Sequence, residues 1–190
     1  MQMRTRLKTV LISAFVTVSA FVSITYISCN RDKCKTIVCA NGGVCNSGGC
    51  ICTSGYEGSN CETLSQTKFQ GNWSVFEKGT RTQAAQYAIT IEAGPAIAGV
   101  VNPTYVVIVN FYNYFKTPVN AYVDGDTLYI PNQNYEGKVL FGKGYIYTDN
   151  TYGQFGRISM AYEIIDTATQ LVNDFGYYPI DGSSPSLWNK

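Results

Sequence analysis

Arg157-Ile158-Ser159-Met160-Ala161-Tyr162-Glu163-Ile164 alternates small or polar residues with large apolar ones along its whole length. A period of two puts Ile158, Met160, Tyr162 and Ile164 on one face of an extended chain and Arg157, Ser159, Ala161 and Glu163 on the other, which is the pattern of a half-buried strand. The same period returns upstream, where Tyr87, Ile89 and Ile91 are set between Gln86, Ala88, Thr90 and Glu92. Trp73 to Phe76, Tyr105 to Tyr114, Ala121 to Val123, Thr127 to Ile130 and Val139 to Thr148 read as further strands, with Gln170 to Val172 as a short additional candidate. Asp124-Gly125-Asp126 between two short runs is a hairpin signal, and Asn150-Thr151-Tyr152-Gly153 is a weaker one. No long stretch carries helical periodicity with caps at both ends, although Gln83 to Ala88 has room for one helical turn. Seven or eight strands at this spacing predict a mainly β protein whose residues 69–190 form an antiparallel barrel or sandwich.

The composition changes abruptly on either side of Cys61. The 129 residues from Glu62 to Lys190 hold 13 of the 15 tyrosines, both tryptophans and no cysteine, and that length supports a hydrophobic core without crosslinks. Upstream lie Cys34, Cys39, Cys45, Cys50, Cys52 and Cys61, six cysteines within 28 residues. So short a segment cannot bury enough apolar surface to fold alone, so covalent bridges must take the place of a core, and the compartment must be oxidising. A zinc site is the competing reading; Cys50-x-Cys52 does not favour it, and the chain has no histidine to contribute. Fifteen pairings of six cysteines are open on sequence alone.

The spacing, with Asn41-Gly42-Gly43 before the third cysteine and Gly55-Tyr56-x-Gly58 before the sixth, resembles an EGF-like module. That resemblance implies the pairs Cys34–Cys45, Cys39–Cys50 and Cys52–Cys61. Gly42, Gly43 and Gly58 suit it physically, because glycine can turn a closely crosslinked chain through positive φ.

Cys29 is left over. Arg4, Arg6 and Lys8 precede an uncharged run of 18 residues from Val10 to Ile27, the layout of an export leader. Tyr26-Ile27-Ser28-Cys29-Asn30 then resembles the lipobox of bacterial lipoproteins, which implies cleavage before Cys29 and acylation of its thiol. Tyr26 departs from the usual Leu or Val of that motif. Two or three fatty chains would hold the mature chain firmly, since each buried methylene contributes about 0.8 kcal/mol. An uncleaved signal anchor and a secreted chain cut elsewhere are the alternatives. The expected organisation is a leader over residues 1–28, a lipid-anchored EGF-like module over 29–62, a polar linker over 63–68 and a β domain over 69–190.

Phe69-Gln70-Gly71-Asn72-Trp73 at the head of that domain resembles the Gly-x-Trp opening of lipocalin-like barrels, in which the tryptophan plugs one end. In layout the whole chain resembles exported lipoproteins of the Bacteroidetes type, with a lipobox, a short EGF-like module and a tyrosine-rich β domain. The resemblance implies a bacterial cell-envelope protein, lipid-anchored in the outer membrane and facing the periplasm or the surface.

Chemistry is harder to find. The absence of histidine removes the commonest general base, the usual triads and most zinc sites. Asp124, Asp126, Asp149, Asp166, Asp174 and Asp181 lie among turn-forming residues and are explained by turn chemistry. No nucleophile stands beside a base, and no glycine-rich loop precedes a helix, so the chain reads as non-catalytic and free of cofactors. Calcium binding by the EGF-like module is an alternative, since Asn30 and Asp32 precede the first cysteine. Lys33, however, puts a cation where an oxygen is wanted, and Asn46 to Gly49 is a short loop for further ligands. The remaining lead is aromatic. Tyr112, Tyr114, Tyr145 and Tyr147 are the candidate ligand-binding residues, because phenol rings stack on sugar faces and hydrogen-bond to hydroxyl groups. Expected partners are the membrane through the N-terminal lipid and a carbohydrate, a small apolar ligand or a protein. The formal charge of +1 gives no footprint for nucleic acid. Read together, the modules form an EGF-like stalk presenting a β domain for binding; the alternative is a structural surface protein with a solid-packed barrel.

Overall fold

The computed structural model describes residues 33–96, 98–178 and 182–190; the leader over 1–28 and the lipidation candidate Cys29 lie outside the described residues. Among the described residues thirteen strands follow in order: β1 Val44–Asn46, β2 Gly49–Ile51, β3 Tyr56–Glu57, β4 Thr63–Leu64, β5 Gly71–Glu77, β6 Ala85–Ala93, β7 Tyr105–Val109, β8 Val119–Asp124, β9 Thr127–Tyr135, β10 Lys138–Asp149, β11 Gly153–Asp166, β12 Val172–Phe175 and β13 Ser186–Asn189. From β5 to β11 each strand pairs antiparallel with the next. β13 enters between β11 and β5, and the result is a closed barrel of eight antiparallel strands. β12 adds to β11 further along, at Glu163 to Ile165, and extends the wall past the end of β13.

Parity along each strand decides which side chains fill the barrel. Trp73, Val75 and Glu77 of β5 point inward, as do Ile89 and Ile91, Val106 and Ile108, Val119, Ala121 and Val123, Leu128 and Ile130, and Ile158, Met160, Tyr162 and Ile164. Phe111, Phe115, Phe175 and Trp188 complete a continuous apolar interior. Removing one of these large rings would cost about 3–5 kcal/mol through lost burial and the cavity left behind. Room for them comes from β10, whose inward positions include Gly142 and Gly144 opposite Tyr162 and Met160. A methyl group on Gly142 would lie 2.5 Å from Cβ of Tyr162 and 2.6 Å from the carbonyl oxygen of Ala161. Overpacking of that kind costs about 1–3 kcal/mol.

Three expectations about elements are corrected here. The apolar run Tyr105 to Tyr114 is not one strand: β7 stops at Val109, Asn110 takes φ 61°, and the chain crosses the barrel mouth. Phe111 and Phe115 are buried by that crossing, which is why aromatic residues occur at both parities of the run. Gln83 to Ala88 holds no helical turn, since β6 begins at Ala85 and pairs along β5. The short strand expected at Gln170 to Val172 lies later, at Val172–Phe175, because Asp166 and the following residues form the turn.

The cysteine segment is bridged Cys34–Cys45, Cys39–Cys50 and Cys52–Cys61, the pairs implied by the resemblance. Its two hairpins, β1–β2 and β3–β4, are short, and Val38, Val44 and Ile51 are exposed, so crosslinks rather than burial hold it. Residues 63–68 connect it to the barrel without slack. Thr63 and Leu64 form β4, and Ser65–Lys68 make a 3-10 turn in which Ser65 and Gln66 are buried. Lys68 reaches Glu57 of the disulfide module at 2.7 Å and Asp126 of the β8–β9 turn at 2.6 Å. Burial opposes its charge, but the hydrogen bonds to Asp126 and Glu57 outweigh that and raise its pKa above the ordinary lysine value. Pro103, in the connection between β6 and β7, lies 2.8 Å from where a side chain on Gly55 would begin. The disulfide module therefore sits on one end of the barrel, the near end.

Reducing the three bridges is expected to open residues 33–62 to protease while the barrel keeps its tryptophan near-ultraviolet circular dichroism. Simultaneous loss of the entire near-ultraviolet signal on adding reductant would contradict this separation.

Candidate functional site

At the far end of the barrel, opposite the disulfide module, lie the β5–β6 loop, the β7–β8 loop and the β9–β10 turn. β6 pairs with β7 only from Thr90 onward, so its first residues have no neighbour on that side. The β7–β8 loop arches across this gap and leaves a groove of about 320 Å³ lined by Glu77, Thr82, Gln83, Ala85, Gln86, Tyr87, Tyr112, Asn113 and Tyr114.

The loop is held on every side. Asn110 donates from Nδ2 to the carbonyl oxygen of Ala88 at 2.8 Å, Asn173 donates to the hydroxyl of Tyr112 at 3.1 Å, and Oε1 of Glu136 accepts from the backbone N–H groups of Lys116 and Thr117. Asn110, Tyr112 and Asn113 all have positive φ, at 61°, 59° and 48°. Asparagine tolerates that region, but a tyrosine there carries strain on the order of 1–3 kcal/mol, which these bonds must over-determine. The strained arch points Phe111 and Phe115 into the barrel as a plug and leaves Tyr112 and Tyr114 on the groove, their ring centroids 6.5 Å apart.

On the floor sits Glu77, an inward-facing carboxylate only 8% exposed. Oε1 accepts from the hydroxyl of Tyr87 at 2.6 Å; Oε2 accepts from the hydroxyls of Tyr162 and Ser186, both at 2.7 Å. Ser186 in turn accepts from Nε1 of Trp188 at 2.9 Å. Acceptance of three hydroxyl protons is the behaviour of an ionised carboxylate, and hydrogen bonds to a charged group contribute about 1.5–3 kcal/mol each. Burial first, then the charge of Glu77, pushes the Tyr87 phenol far above the ordinary tyrosine range. Tyr162, fully buried and stacked on Phe175 at 4.3 Å, is raised by burial and by the charges of Tyr87 and Glu77.

The four tyrosines expected from the sequence divide into two pairs. Tyr112 and Tyr114 meet at the groove. Tyr145 and Tyr147 lie on the outward parity of β10 toward the near end, 51% and 38% exposed, and do not border the groove. Glu77 and Tyr87 were missed. Their signal was parity: Trp73, Val75 and Glu77 alternate, so a carboxylate stands where an inward apolar residue is expected. A second depression, about 420 Å³, runs along the outer wall beside Tyr129, Phe141, Lys143 and Tyr177 and contains none of the four.

Of the acids named as turn residues, Asp149, Asp166 and Asp174 accept from nearby backbone N–H groups, and Asp181 lies outside the described residues. Asp149 caps Thr151 and Tyr152 and pairs with Arg157 at 2.9 Å. The carboxyl of Asp166 is held down to about 2 by the backbone N–H of Thr169, by Lys138 and by the Thr169 hydroxyl. Asp174 accepts from the backbone N–H groups of Gly176 and Tyr178 and from the hydroxyl of Ser183. Among the described residues no group of three or more His, Cys, Asp or Glu is placed to hold a metal ion. Compared with protein-family models and with curated proteins, the chain matches none.

Glu163 and Asp174 face each other across β11 and β12 on the outer wall, both buried. Burial, then the neighbouring charge of Asp174 and a hydrogen bond to it, raises Glu163 above its ordinary value of 4.5. An acid whose pKa rises on folding favours the folded state most below its unfolded value, and that contribution is lost as pH climbs through the folded value. Glu163→Gln is therefore expected to melt higher than the parent protein at neutral pH, with the gap closing toward about pH 4. A melting temperature at neutral pH equal to or below the parent's would contradict the raised carboxyl.

Proposed function

We propose that the protein is a non-catalytic envelope lipoprotein, tethered through acylated Cys29, in which an EGF-like stalk presents the barrel for binding. The observation that carries this reading is the opposition of the two ends. The disulfide module and its Lys68 latch occupy the near end, while the tyrosine-lined groove opens at the far end. Strain concentrated in the groove's own loop, together with the convergence of Tyr112, Tyr114 and Tyr87 over a buried carboxylate, supports a ligand site rather than a rim of convenience. The absence of histidine and the use of Asp149, Asp166 and Asp174 in turns support a binding role over a catalytic one.

A filled interior favours a second reading. The barrel centre is packed with Trp73, Trp188, Tyr162 and Phe111, so a ligand of the kind enclosed by larger-bore barrels finds no room there. On that reading the domain is structural and the groove is idle.

Expressed with its own leader in a bacterial host, the protein is expected to give a mature chain starting at Cys29 whose mass carries two or three acyl chains. Cys29→Ala is expected to leave the membrane fraction. A mature terminus elsewhere, or unchanged membrane partition of Cys29→Ala, would overturn the lipoprotein assignment.

A further inference from the structure

The groove carries a negative charge and no positive one. Among the described residues Glu77 forms no ion pair: every group that bonds to its oxygens is a neutral hydroxyl, and no lysine or arginine lines the walls. Hydroxyl donors reduce the cost of holding a carboxylate at the edge of a low-dielectric core but leave its charge uncompensated. A small cation entering the groove would be attracted by that uncompensated charge more strongly than in bulk water, less the cost of its own desolvation.

The walls select which cation. Tyr112 and Tyr114 present tilted phenol rings at 54°, and Tyr87, whose hydroxyl donates to Glu77, lines the same groove. Aromatic faces are negative and attract cations that shed water easily. Tyr114 already attracts one, since Nζ of Lys138 lies 5.0 Å from its ring centroid; that charge is neutralised by Asp166 at 3.0 Å and is not a groove residue. A hard divalent ion is a poor match, because it needs six or more oxygens and the groove offers one carboxylate whose oxygens are already engaged. An acidic sugar would be repelled, and a neutral one would leave Glu77 without a counter-charge. Volume agrees with a small molecule of a few heavy atoms, at the low end of ligand sites.

We propose that the far-end groove binds a small organic cation of the alkylated-ammonium class, with Tyr112 and Tyr114 against its methyl groups and Glu77 as counter-charge. The inference rests on the reading of this groove as a ligand site, and adds the chemical class. Among sources of such a group, a free small molecule fits better than a protein surface, because the groove is a pocket in the barrel mouth and not an extended face.

Calorimetric titration of the full chain in detergent with choline and with its neutral isostere, 3,3-dimethylbutan-1-ol, separates the possibilities, with ring-proton NMR of tyrosine reporting where each binds. The expected result is choline binding at least tenfold tighter than the isostere, with shifts at Tyr112 and Tyr114 and loss of binding in Tyr114→Ala. Equal binding of the two at those tyrosines would overturn the cation class while leaving the groove a ligand site. Binding of neither, with both ring signals unmoved, would overturn the cation class and remove the support for the groove reading as well. Because the charged and neutral probes are compared on the unaltered protein, the outcome does not depend on a Glu77 variant folding.

Discussion

The carboxylate of Glu77 gathers hydroxyls from three other strands, Tyr87 on β6, Tyr162 on β11 and Ser186 on β13, around the last residue of β5. A charge at that depth is tolerable only while all its donors are in place, so barrel closure and satisfaction of the charge require one another. β13 shows the dependence. It is four residues long, yet it closes the cylinder between β11 and β5, and both its inward side chains, Ser186 and Trp188, belong to the chain of hydrogen bonds that ends on Glu77. The same carboxylate is the floor of the groove, so the feature that ties the wall also gives the mouth its charge.

The rest of the molecule arranges itself around that closed end-to-end axis. At the near end Trp73 is buried, its Nε1 donating to the carbonyl oxygen of Phe69 at 2.7 Å, with Lys190 over its ring. Lys68 then couples the covalently stapled module to the β8–β9 turn. Sulfur holds the module internally, and the Lys68 ammonium, paired with both Glu57 and Asp126, holds it to the barrel. At the far end the arch from Asn110 to Tyr114 spends backbone strain to set two rings against the groove.

Much of this was visible in the residues, and the gaps have physical causes. Ile158, Met160, Tyr162 and Ile164 announce β11 because one face is core and the other is wall, and the six cysteines announce a stapled module because no core replaces them. β13 stayed hidden, since Ser-Leu-Trp-Asn is too short to show a period and becomes a strand only between two partners distant in sequence. Tyr105 to Tyr114 looked continuous because a left-handed Asn110 leaves no mark on hydrophobicity. Residues 63–68 read only as a short polar linker because the partners of Lys68 are 11 and 58 residues away. Tyr145 and Tyr147 looked equivalent to Tyr112 and Tyr114 because Gly142 and Gly144 conceal which parity of β10 faces inward. The proposal that Cys29 is an anchor comes from its motif, and the groove's charge is readable only as a parity anomaly at Glu77.

Alkaline titration of ring-labelled tyrosine followed by carbon NMR, with circular dichroism recorded in parallel, tests the buried charge most directly. With Tyr87 and Tyr162 donating to Glu77, their rings are expected to stay protonated well past the ordinary tyrosine value of about pH 10, and to ionise only as the barrel unfolds. Reversible ionisation of both rings near that same pH, with the barrel's circular dichroism unchanged, would contradict the account.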